Sequence, residues 1–112
     1  IDVAAWLGSI ARLRALRPGA LYLTHWGRVE DVPAHLDQLE AHLHAWVEWM
    51  RGPFERGTPP EEITPAFTRF AEDQLRAAGV ADAATLARYE AANPAWMSVA
   101  GLLRYWRKRT EA

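Results

Sequence analysis

Apolar residues recur along this chain at helical spacing, with one interruption of a different character. In residues 2–16, Trp6, Ile10, Leu13 and Leu16 fall three or four positions apart, which places them on one face of a helix. Asp2 stands where a cap is needed, and Arg17-Pro18-Gly19 ends the segment, because proline cannot continue a helix and glycine suits the turn after it. Leu36, Leu39, Leu43, Val47 and Met50 mark a longer amphipathic helix that begins at Asp31, with Pro33 in the first turn, where a missing N–H costs little. Residues 51–60 carry two glycines and three prolines and read as a loop. Thr64 followed by Pro65 opens a third helix that Gly79 closes. Asp82 caps a shorter helix reaching Ala92, and Asn93 with Pro94 opens the last. Its end carries Arg104, Arg107, Lys108 and Arg109, which suits the negative end of a helix dipole.

The interruption is Ala-Leu-Tyr-Leu-Thr at residues 20–24. It is short, apolar and unbroken, as a buried strand would be. One strand cannot satisfy its own backbone donors and acceptors, so it is expected to pair with strands that this sequence does not obviously contain. A helix–strand–helix unit belongs on the face of a sheet, and a right-handed crossover partner would lie before Ile1. The expected class is α+β, mainly α. The start at Ile1-Asp2, without an initiator methionine, adds the expectation of a fragment.

Composition narrows the classes. The 112 residues suffice for one domain with a real core. Half of them are hydrophobic, which argues against disorder. The net charge of −1, with both signs interspersed, makes a nucleic-acid partner unlike this surface, since such binding needs a strongly basic face. With no cysteine there is neither a disulfide framework nor a thiolate metal site, which fits a reducing, cytoplasmic location. No apolar run approaches the roughly 20 residues of a membrane span, and no signal peptide is visible, so no membrane partner is expected. There is no internal repeat and no low-complexity tract.

Candidate chemistry gathers where the strand ends. His25 follows it directly, at the kind of sheet edge where open α/β folds place ligands, and Gly27 lets the backbone turn while leaving the imidazole unobstructed. A neutral imidazole is a good zinc ligand once its other nitrogen has an acceptor. Zinc takes about three or four protein ligands, whereas this stretch offers one histidine with Glu30 and Asp31 nearby. The other reading is a histidine that packs at the strand end and bonds a carbonyl, and the residues alone leave both open. His35, His42 and His44 sit on the long helix at separations of seven and two, not the four of a helical metal pair, and read as solvated. Glu30 and Asp31 read as a helix start favoured by the dipole more than as acid–base catalysts. Among the six tryptophans, Trp46 and Trp49 cluster with Met50, and Trp96, Met97, Tyr105 and Trp106 lie on the last helix. Helix-on-helix packing is their ordinary role, and a pocket wall or dimer surface the sharper one.

Residues 13–43, LRALRPGALYLTHWGRVEDVPAHLDQLEAHL, resemble the C-terminal part of metallo-β-lactamase-fold hydrolases, particularly the glyoxalase II-like branch. There a helix, a short strand and a histidine follow one another in the pattern L-x-P-x-x-L-x-x-x-H-x-G, met here by Leu16, Pro18, Leu21, His25 and Gly27. The resemblance implies that residues 1–51 are the C-terminal portion of an αββα sandwich and residues 52–112 a helical C-terminal extension. It implies two divalent metals, usually zinc, with iron or manganese as alternatives. His25 would be a ligand of the second metal, and Trp26 would line the substrate mouth. A metal-bound hydroxide would attack a thioester, ester or related bond of a small-molecule substrate. The family's His-x-His-x-Asp-His motif, its later histidine and its bridging aspartate are absent from the sequence. The partner implied is therefore the N-terminal part of the same protein, with the helical tail expected to cover the site entrance or to form a subunit contact in a homodimer. Nucleic-acid processing enters only because some members of the fold cut RNA. Alone, with one ligand, the chain is expected to hydrolyse nothing. The alternative from a different class is a self-contained helical binding or interaction module in which His25 is structural.

Overall fold

The computed structural model of the chain describes residues 2–23, 27–80 and 82–111. Its elements run α1 (Val3–Leu16), β1 (Leu21–Leu23), β2 (Gly27–Val29), α2 (Val32–Glu55), α3 (Pro60–Ala77), α4 (Ala83–Ala92) and α5 (Ala95–Glu111). The architecture is mainly helical with one small two-stranded antiparallel sheet. No described helix is long and apolar enough to cross a membrane. The chain divides into two compact units, Ile1–Trp49 and Met50–Ala112.

In the first unit, α1 starts where its sequence places it. The Asp2 carboxylate accepts the Ala5 N–H at 2.9 Å, satisfying one of the amides that a helix start leaves without a partner. The helix ends on Arg17, in the left-handed region at φ 46°, because Pro18 bars the residue before it from the helical region. Two turns of chain later comes a correction to the isolated strand. β1 pairs with β2 of this same chain, in the register Leu21 with Val29, Tyr22 with Arg28 and Leu23 with Gly27. The second strand escapes pattern reading because Gly-Arg-Val is too short and too polar to show alternation. The core of this unit is Ile10, Val32 and Leu36, all buried, with Leu13, Leu21 and Leu39 packed against them. The apolar stripe of α1 is narrower than its spacing predicts, since Trp6 and Leu16 remain 47% and 76% exposed. Arg14 fastens α1 to α2: its guanidinium reaches the Asp37 carboxylate at 2.5 Å and Glu40 at 2.7 Å.

In the second unit, α2 continues past the expected loop. Gly52 and Pro53 lie inside it, and Pro53 is buried. The break comes at Gly57, at φ +67°, where the Thr58 N–H reaches the Pro53 carbonyl and the Gly57 N–H the Phe54 carbonyl. That pair of bonds is a Schellman closure, and glycine takes the left-handed position at no steric cost. α3 begins at Pro60 rather than at Thr64, whose hydroxyl instead donates back to the Pro60 carbonyl at 2.9 Å. Gly79, at φ +98°, closes α3 with the same two-bond pattern. Asp82 caps α4, accepting both the backbone N–H and the hydroxyl of Thr85 at 2.8 Å. The first amide of α5 is taken from α4, the Glu90 carboxylate accepting the Ala95 N–H at 3.0 Å. α3 and α5 pack on one another, and the buried side chains of the unit include Met50, Ile63, Phe67, Val99 and Leu102.

Phe67 is 1% exposed. Phe67→Ala is expected to cost about 3–5 kcal/mol, read as a lower urea midpoint at unchanged slope. The two Thr85 bonds, chiefly the backbone one, hold the Asp82 carboxyl below the usual carboxylate range. A folded value below the unfolded one gives stability that is present above the unfolded value and is lost as pH falls through the folded value. An NMR titration of the Asp82 carboxyl is expected to have its midpoint below about 3.9, the value of an unperturbed aspartate.

Candidate functional site

Thr24, His25 and Trp26 lie outside the described residues, so the metal role of His25 and the mouth role of Trp26 stay where the sequence put them. What the structure does give is the frame on either side. Leu23 and Gly27, the residues that flank this segment, are paired across the hairpin. Gly27 takes φ +79°, and a Cβ built there would meet nothing within 4 Å, so the demand for glycine is one of backbone conformation and not of space. On one side of the hairpin Leu21 packs on the Ile10–Val32–Leu36 cluster. Tyr22 is 78% exposed, and the Arg28 guanidinium lies over its ring at 6.0 Å while also facing Glu30 at 3.4 Å.

The neighbouring acids have structural employment. Asp31 accepts the Ala34 N–H at 3.3 Å and so caps α2, and Glu30 faces Arg28. His44 Nε2 lies 3.9 Å from Glu40 Oε1, one turn away on α2, and His42 is exposed. Among the described residues no group of three or more histidine, aspartate or glutamate side chains converges in a way that could hold a metal ion. The described donor set therefore does not fit a metal by itself. The ion-pair network of Arg14 with Asp37 and Glu40 is not apparent from the sequence. The hydrogen bond that Arg14 donates to Asp37, then the one it donates to Glu40, raises the guanidinium further above its ordinary value, so the group is charged at every accessible pH. The available signal was the spacing of Asp37 and Glu40, three apart and hence on one face of α2.

The second unit carries a groove of about 370 Å³ between the first turn of α3 and one face of α5. Pro60, Glu61 and Thr64 form one wall, and Trp96, Val99, Ala100, Leu103 and Arg107 the other. Trp96 and Met97 do not pack into the core, being 63% and 53% exposed. The rest of the aromatic group on α5 behaves as expected. Trp106 stacks on Phe54 at 6.4 Å and meets Tyr105 edge-on at 5.3 Å. Arg109 lies over both Tyr105 and Trp106 and donates to the Tyr105 hydroxyl at 3.1 Å. The groove is written in the sequence as positions 96, 100, 103 and 107, a second stripe at helical spacing beside the buried stripe 95, 99 and 102.

No protein-family model, no curated protein and no solved structure matches this chain.

The left-handed backbone at Gly27 sets a test of the hairpin. Gly27→Ala is expected to cost about 1–2 kcal/mol, and Gly27→Asn less, because asparagine visits that region more readily. Amide exchange at Leu21 and Val29 reads the loss locally. Equal effects of the two substitutions would contradict the conformational argument.

Proposed function

We propose that this chain forms the C-terminal part of a metallo-β-lactamase-fold hydrolase of the glyoxalase II-like branch, acting on a thioester, ester or related bond of a small molecule. The observation that carries the reading is the α1–hairpin–α2 unit. Pro18 ends the helix, Leu21 seats the strand on the Ile10–Val32–Leu36 cluster, and Gly27 pairs with Leu23 across the hairpin. In sequence His25 falls between those two residues, in the order that the resemblance implies. His25 is the one metal ligand that this chain contributes, and Trp26 borders the substrate. The remaining ligands come from the N-terminal part of the same protein. The cell interior is the location proposed, on the strength of a chain without cysteine.

A second reading, a helical binding module without catalysis, is favoured by the second unit. Its Ile63, Phe67, Val99 and Leu102 are each about as buried as a core residue can be, at 1% exposure. That core would hold α3 and α5 together with no role for His25.

Mass spectrometry under native conditions, with metal analysis, separates the two. The hydrolase reading expects this chain joined to, or bound by, polypeptide carrying His-x-His-x-Asp-His. In that assembly His25→Ala should remove one of the two metals and abolish hydrolysis while the far-UV spectrum is unchanged. A native species of 12.6 kDa whose cooperative melting ignores zinc would leave the binding module instead.

A further inference from the structure

The groove of the second unit plays no part in either account of His25, and it has three properties that bear on what fills it. It is apolar at its floor, where Val99 and Leu103 lie, and the exposed Trp96 indole stands at its border. Its rim carries one acid and one base, Glu61 on α3 and Arg107 on α5. These two line the same groove, yet neither has an ion-pair partner among the described residues. None of the described polar or charged side chains is buried, so the groove lacks the convergent, shielded polar groups that orient a small molecule.

A partner of strongly acidic or strongly basic character would be attracted by one of the rim charges and repelled by the other. A second copy turned about a twofold axis presents the same exposed indole, recess, acid and base in return, because in such an interface residue i meets j and j meets i. Tryptophan and arginine are also the residue types that dominate interface energetics when an apolar recess receives them.

We propose that the α3–α5 face is the interface between two copies of this chain, related by a twofold axis. The Trp96 indole of each copy occupies the groove of the other, and Glu61 of each copy pairs with Arg107 of the other. The interface is independent of the metal reading, since no residue of the first unit enters it. The dimer is expected to dissociate on dilution.

Sedimentation velocity on the purified protein from about 1 to 500 µM reads this directly. The expected result is a monomer at the dilute end and a dimer at the concentrated end. Trp96→Ala should stay monomeric throughout; its side chain is exposed, so near-UV and far-UV circular dichroism should report an intact fold. Glu61→Arg and Arg107→Glu should each weaken the dimer by about tenfold or more, since each sets like charges face to face, and the double variant should recover most of that loss. A wild-type protein that is monomeric at the highest concentration overturns the proposal. So does a dimer that tolerates Trp96→Ala, or a double variant as weak as either single one.

Discussion

The backbone of a three-residue apolar strand has nowhere to go by itself, and much of the first unit follows from that. Leu21, Tyr22 and Leu23 present amides and carbonyls that need partners, and the chain provides them by folding back through Gly27 onto Leu21–Leu23. An isolated two-stranded hairpin is marginal in water. It persists here because Leu21 also belongs to the cluster of Ile10, Val32 and Leu36, which ties it to both flanking helices. Backbone pairing fixes the register, and side-chain packing fixes the hairpin to α1 and α2. Leu23 and Gly27, on either side of residues 24–26, are thus held by that pairing.

How much of this could be read from residues alone depends on how local each decision is. Asp2, Asp31 and Asp82 each cap a helix as their positions imply, since a cap needs only a short polar side chain and an amide three residues on. Gly79 likewise closes α3, because only the local backbone conformation decides it. Pro53 misleads for the opposite reason. Its missing N–H argues for a loop, yet the helix holds to Glu55, with Arg51 and Glu55 paired across the proline at 3.2 Å and the proline ring itself buried. Burial and a later, better exit at Gly57 outweigh a propensity cost of about 3 kcal/mol. The start of α3 moves to Pro60 on similar grounds: Pro59 and Pro60 supply the fixed φ of a first turn earlier than Thr64 and Pro65 do.

The candidate site divides along the same line. That His25 would follow a strand is legible, because an apolar run is a local signal; that a second strand comes before α2 is not. Which side chains surround His25 is not legible either, because those depend on polypeptide that this chain does not supply on the proposed reading. β2 was hidden for a simpler reason: Gly-Arg-Val has no apolar alternation, and its place in the sheet comes from the strand before it.

α5 shows how one helix can serve two surfaces. Positions 95, 99 and 102 are buried, while 96, 100, 103 and 107 form the neighbouring stripe that walls the groove. Core packing alone would require only the first stripe. At the far end, Trp106 is held by Phe54 and Tyr105 and capped by Arg109, so the C-terminal half of the helix is fixed independently of the groove. The rigid half sets the position of Arg107, and the buried stripe sets that of Trp96 by its place on the same helix. A tryptophan left 63% exposed on so well-anchored a helix keeps a large apolar surface in water without gaining freedom in return. In the proposed dimer, the second copy brought against the groove would cover that surface.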